Sequence, residues 1–373
     1  MKIIFGKTLL AVMFLCAAGI ARAQLGLAFA GAEGFGQYAS GGSGGDAETV
    51  HVTNLNDSGA GSFRDAVGKP HRIVVFDVGG VVHLQSNIAV SSDISIRGET
   101  APDAGITFYG RSVSFSGQHN VIVRYLRFRE GIAGDKGKCS VNLSGGADMI
   151  FDHCSIEWGR WDCLGLTGGS HDITFQYCII GEGVDPQRFG SLTDTVTNIT
   201  YTHNLWINNQ SRNPKAKGKI QYLNNVVYNW GVCGLVGGHS GADHFQDVVG
   251  NYFIAGPNSN RHAVGECAAT DHIFLKDNFC DLDKDGKLNG RELVRADFGS
   301  GDGAPTLVEA PSNGPLDGLT VEPAEVALKN VLAGEKLFTI NLLAVIYKWP
   351  RLVESKAIPA LIFPDKAFTR LKA

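Results

Sequence analysis

An all-β fold, a right-handed single-stranded parallel β-helix, is what this sequence predicts, and three observations carry the prediction. The first is a recurring frame: Val121–Leu126, Met149–Cys154, Ile173–Cys178, Ile199–Asn204, Ile220–Asn225, Gln246–Asn251 and Ile273–Asn278, whose last residues lie 21 to 28 positions apart. The second is the pattern within each frame. Apolar and polar residues alternate at period two, as in a short strand with one buried face. Strands repeating every twenty-odd residues stack coil on coil into a solenoid. The third is composition: 48 glycines among 373 residues, with many Val, Ile, Thr and Asn, fit a chain of short strands and frequent turns. Leucine count and spacing argue against a leucine-rich repeat.

The elements then follow in order. Residues 1–23 read as a secretory signal: Lys2 and Lys7 supply the positive end, Leu9 to Ile20 the apolar run, and Ala21-Arg22-Ala23 the cleavage site. That run is too short for a good membrane span. Cys16 follows Leu15 rather than a small residue, so plain export to the extracellular space or periplasm is favoured over a lipid anchor. The solenoid domain is assigned to 24–299, with an entry region over 24–120 containing the strand runs His71–Val78 and Asp93–Ile96. In the repeat, Asn204, Asn225, Asn251 and Asn278 fall at one corner and predict an inward amide ladder, continued by Cys154 and Cys178. Gly131–Lys138, Gly181–Asp194 and Asn229–Asp243 are the longer excursions, where function concentrates on a rigid scaffold. Residues 300–373 form a linker and tail. Ser300–Leu319, rich in Gly, Pro, Ser and Asp, reads as linker, and Glu335–Ala373 is apolar and basic without a repeat.

Removing the signal leaves seven cysteines, so at least one is a free thiol. Lys and Arg number 33 against 37 Asp and Glu, a balance that argues against a general nucleic-acid binder. A monomer without nucleic-acid or membrane partners is the expectation.

Two stretches carry chemistry. Arg212, Lys215, Lys217 and Lys219 place four cations within eight residues, between the strand-like runs Asn198–Trp206 and Ile220–Tyr228. Alone, such a cluster is ordinarily a solvated basic turn. The second stretch, Asp281–Glu292, fits the EF-hand calcium loop at its diagnostic positions. Asp281, Asp283 and Asp285 are ligands 1, 3 and 5, Gly286 makes the turn, Lys287 offers its carbonyl, Asn289 acts directly or through water, and Glu292 closes the site. Growing from a strand, it is expected to stabilise the last coil. Trp158, Trp161, Trp206 and Trp230 recur along the coils and are either sugar-stacking platforms or flank cover, Trp161 and Trp206 being the candidates for substrate contact. His203, His239 and His244 are read as satisfied structural residues.

Ala28–Gly36, Val52–Arg64, Ile96–Pro102, Phe151–Ser155 and Ser211–Lys215 together resemble the bacterial pectate lyases of polysaccharide lyase family one, over roughly residues 28–280. That family is a parallel β-helix, in agreement with the repeat. The resemblance implies β-elimination on an acidic plant cell-wall polysaccharide, pectate or pectin. Arg212, in its Arg-x-Pro segment, matches the base that removes the C5 proton; Lys217 and Arg188 match the accompanying cations, with Lys215 beside the substrate. Cations around Arg212 are expected to press it toward its neutral form. The family's site calcium is held by three acids. Here the corresponding positions read Cys139, Asp162 and Gly165, with Glu182 and Asp185 nearby as substitutes, so that calcium is absent, altered or bound only with substrate. Without it, a methyl-esterified or other uronan becomes a fitting substrate. Asp152 and His153 are read as corner residues. Two competitors stand beside the lyase. A β-helix glycoside hydrolase would need paired carboxylates facing one groove, and a non-catalytic carbohydrate binder would need none.

Overall fold

The computed structural model describes residues 26–259, 262–299, 303–316 and 318–334. The signal assigned to 1–23 and the tail Glu335–Ala373 lie outside them. The chain forms an all-β parallel solenoid of about nine turns. A 17-stranded sheet bends around two faces, because Phe189–Thr202 and Lys215–Leu223 each run across a corner and pair with one column of strands before it and another after it. A 10-stranded sheet closes the third face, all parallel except its final pair, where Arg291–Glu292 runs antiparallel to Phe279–Asp281.

The predicted ladder is present. Asn204, Asn225 and Asn251 each donate from Nδ2 to a carbonyl of the coil below, and each Oδ1 accepts the backbone N–H of the preceding rung, as in Asn225 N–H to Asn251 at 2.8 Å. Asn251 hands on to Asn278 at 2.8 Å. Cys178 N–H donates to Asn204 at 2.8 Å and Cys154 N–H to the Cys178 sulfur at 3.4 Å, so the thiols do continue the column. Every rung sits buried with its polar atoms paired, the condition under which an interior amide stabilises a coil stack. The residue before each rung takes the left-handed conformation that turns the corner: Tyr125, His153, Tyr177, His203 and Asn224 all have φ between 50° and 56°. On the outside of that corner Tyr125, His153, Tyr177 and His203 stack ring on ring at 4.8, 5.1 and 4.9 Å. Asp152 is buried against Arg124, His153 and Gln176, the corner role expected of it.

Inside, Phe115, Phe151, Phe175 and Tyr201 form a continuous aromatic stack. All seven cysteines among the described residues are buried. The first coil is closed by a short helix over Phe63–Val67, capped by Ser62 and seated on Phe108.

The described part of the assigned linker is part of the fold. Asn313 donates to the carbonyls of Ile220 and Phe245, while the N–H groups of Ser312 and Asn313 bind the Asp247 carboxylate. Glu322 N–H donates to Asn224, and a helix over Ala324–Gly334 buries Ala324, Leu328 and Val331 against Ile179, Leu205, Val226 and Tyr252. Composition suggested a spacer because Gly, Pro and Ser mark irregular backbone, which is silent on whether that backbone is docked.

Candidate active site

The register places the candidate cations on one face. Asp162, Phe189 and Ser211 align on three successive coils, and further along Gly165, Leu192 and Lys215 do so, three positions on in the first two coils and four in the third. Arg212 follows Ser211 in left-handed backbone, φ 64°, and reaches back over the Phe189 ring, its guanidinium carbon 4.1 Å from the centroid. It ends on the coil beyond, where Nη1 donates to both oxygens of Asp162 at 3.2 and 3.1 Å.

The segment that presents Arg212 is fixed by buried amides. Asn209 donates to the Ile180 carbonyl and to Asn213 at 2.8 Å, and Asn213 donates to Gly234 on the next coil. Below, Ser191 N–H binds the Arg212 carbonyl at 2.7 Å. Gly190 is required there, since a Cβ would lie 2.3 Å from that carbonyl. Lys217 Nζ binds Asp194 at 2.8 Å, and Lys215 approaches Glu266 at 3.9 Å. Burial lowers the Lys215 ammonium, with Arg212 and Lys217 adding to the shift and Glu266 opposing it. Arg188 is more exposed and pairs with Asp185 at 3.6 Å.

Several expectations change here. The cations do line one face, but Arg212 meets a carboxylate first; Lys215 and Lys217 spend their charge on acids of their own. Asp162, read as a possible calcium ligand, is almost fully buried and pairs with Arg212, and burial pushes its carboxyl up to about 6 despite that partner. Asp185 is an exposed surface acid engaged with Arg188. Trp206 is no stacking platform: it is fully buried against Tyr201 and Tyr222, as its inward position in Leu205–Ile207 dictates. Trp158 and Trp230 are buried as well, and Trp161, 39% exposed, keeps a face in solvent.

Two contributors were missed. Phe189 supplies the ring under Arg212, and its signal was the repeat itself, which aligns Asp162, Phe189 and Ser211. Glu130, fully buried, anchors the Gly131–Lys138 excursion by accepting the Asp135 N–H at 2.8 Å. Arg160 pins the same excursion through the Gly134 carbonyl. Burial pushes the Glu130 carboxyl up to about 7, the Asp135 N–H pulling the other way. No sequence pattern marked it.

The Asp281–Glu292 loop has the oxygen-only donor set that calcium takes. Gly286 makes its turn at φ 78°, and Asp285 N–H to Asp283, Lys287 N–H to Asp285 and Asn289 N–H to Asp281 curl it, at 3.0, 2.7 and 3.2 Å. Burial raises the Asp281 carboxyl, and repulsion from Asp283 and Asp285 adds to it, a strain that a cation would relieve. Glu292 stands on the returning strand opposite Phe279. Among the described residues no three His, Cys, Asp or Glu side chains converge on one point. No helix among them is long and apolar enough to cross a membrane.

The protein is a stacked parallel solenoid, a β-helix, with Arg212, Lys215 and Lys217 along one face. The chain is 46% identical over 268 residues to the probable pectate lyase C of Aspergillus terreus, covering 72% of this chain and 64% of that protein. It is 43% identical over 300 residues to that of Aspergillus fumigatus, covering 80% and 70%. The chain therefore belongs to the pectate lyase family. It spans about two thirds of the length of these relatives, which are fungal, so the family assignment stands without the bacterial qualifier. A solved pectate lyase bound to a hexasaccharide shares the fold, with a TM-score of 0.57 at 13% identity over 83% of this chain and 97% of that one. No family profile matches the chain.

Proposed function

We propose that the protein is a secreted lyase that cleaves pectate-like uronans by β-elimination. The observation that carries this is the alignment of Arg212, Lys215 and Lys217 on one groove, on the segment that resembles the family's catalytic one. An incoming uronate competes with Asp162 for the guanidinium. Arg212, released from Asp162, then serves as the base that takes the C5 proton. The C5–H electron pair becomes the C4=C5 double bond, and the C4–O4 pair leaves on oxygen, which is protonated by water. Lys217 and Lys215 face the carboxylate on which negative charge grows, and Arg188 stands at the mouth; such fixed charges act where charge develops. Trp161 offers the one exposed indole among the four tryptophans of the described residues for a sugar face. Calcium binds at Asp281, Asp283, Asp285, Lys287, Asn289 and Glu292 and stabilises the last coil. The hydrolase reading loses ground because Asp162, Asp194 and Glu266 each face a cation, leaving no carboxylate pair across the groove.

Incubation with polygalacturonate tests the reading. A lyase produces the ultraviolet chromophore of the unsaturated product, a hydrolase produces reducing ends without it, and a binder produces neither.

A further inference from the structure

We infer that Asp162 is a positioning residue for Arg212 and that no calcium ion binds in the groove, carboxylate recognition there resting on protein cations. The positioning half rests on the lyase reading; the metal half does not. Three observations support it. A calcium site needs several hard oxygen donors around one point, and the three aligned positions here supply one. Asp162 has both oxygens engaged by Arg212 at 3.1 and 3.2 Å, so a divalent ion would have to displace a guanidinium and then sit against it.

Asp162 is the second of those positions; at the first stands Cys139, buried, whose thiol burial pushes up to about 12. A neutral sulfur is a poor partner for a hard cation. At the third, Gly165 brings no ligand, and the space is already taken: a Cβ there would lie 2.9 Å from Asn142 Oδ1 and 3.2 Å from the Cys139 sulfur. Asn142 donates from Nδ2 to the Ser112 hydroxyl at 2.7 Å. The nearby acids do not make up the difference. Asp185 is tied to Arg188 and mostly exposed, Asp194 to Lys217, and Glu182 accepts from Asn208. What remains is a clamp: Phe189 beneath the guanidinium, Asp162 at its tip, and the Asn209–Asn213 bond holding the backbone that carries it. A clamp of this kind fixes where Arg212 waits before substrate arrives.

The test uses the full chain in three forms, parent, Asp283→Ala and Asp162→Asn, well below their melting temperatures. Calcium binding is titrated calorimetrically with trigalacturonate present and a trigalacturonate blank subtracted. The expected result is a single calcium site, lost in Asp283→Ala and kept in Asp162→Asn. An ion that survives Asp283→Ala and disappears in Asp162→Asn overturns the inference, whether or not the protein turns anything over. Turnover adds the positioning half. With chelator present, the parent should keep its rate within about twofold, while Asp162→Asn should lose about tenfold or more in kcat with KM within about twofold at every calcium level. Rescue of Asp162→Asn by added calcium, or equal kcat for the two proteins, overturns it. A parent that gives no unsaturated product under any condition defeats the lyase reading and leaves the calorimetric result standing.

Discussion

The groove around Arg212 and the loop at Asp281–Glu292 are both places where several charges are crowded on the same solenoid, and they handle the crowding in opposite ways. In the groove the acids are matched one to one by side-chain cations: Asp162 by Arg212, Asp194 by Lys217, Glu266 by Lys215. In the loop Asp281, Asp283 and Asp285 are pushed together with backbone N–H groups and Lys287 as their partners. On the proposed function, an anionic polymer displaces the acids from the cations around Arg212, and the loop, short of positive charge, takes up an ion; that difference would separate a site for substrate from a site for stability.

Changes at four residues sharpen or break that contrast. Trp206→Ala, in the core shared by both regions, should cost about 3–5 kcal/mol and lower the melting temperature with and without calcium. A mild effect would mean that the coils beneath groove and loop are less tightly packed than they appear in the aromatic stack. Glu130 comes next. Its carboxyl holds a proton to higher pH in the folded chain than in the unfolded one, so its contribution is complete below about 4.5 and is lost as pH rises to about 7. Across that window the parent should lose up to about 3 kcal/mol that Glu130→Gln does not lose, read from denaturant midpoints at each pH. Parallel curves for the two proteins would show that the excursion beside the groove does not depend on a buried acid.

Glu292→Ala should remove a stabilisation of up to about 2.7 kcal/mol at calcium about 100-fold above its dissociation constant, and leave turnover nearly unchanged. Equal melting of the parent with and without calcium would refute a stabilising loop. The smallest effect is expected for Trp161→Ala, a rise of a few-fold in KM with kcat and stability retained. A fall in kcat alone would move Trp161 from holding the sugar to shaping the site.

Much of this was legible in the chain and some was not, for reasons that individual residues make plain. Asn204, Asn225, Asn251 and Asn278 announced the corner because a ladder demands one residue type at one spacing. The Asp281–Glu292 motif could be read as a candidate calcium loop because its proposed ligands are local in sequence. Arg212 was singled out from its motif, but its pairing with Asp162, which had been read as a possible calcium ligand, was not foreseen. Asp162 lies 50 residues away, and only the three-coil register Asp162, Phe189, Ser211 brings them together. Trp206 misled because an indole reads alike from either face of a strand, and a shift of one residue decides which face it takes. Asn313 sat in a stretch that looked like spacer, and its bonds to Ile220 and Phe245 are long-range facts that composition does not hold.

The measurement that bears most directly on the central claim is polygalacturonate turnover by Arg212→Ala, followed by the absorbance of the unsaturated product, with circular dichroism to show that the β-solenoid persists. Loss of about 1000-fold or more in kcat in a folded protein is the predicted result. Turnover within about tenfold of the parent would contradict the account and remove Arg212 from the chemistry.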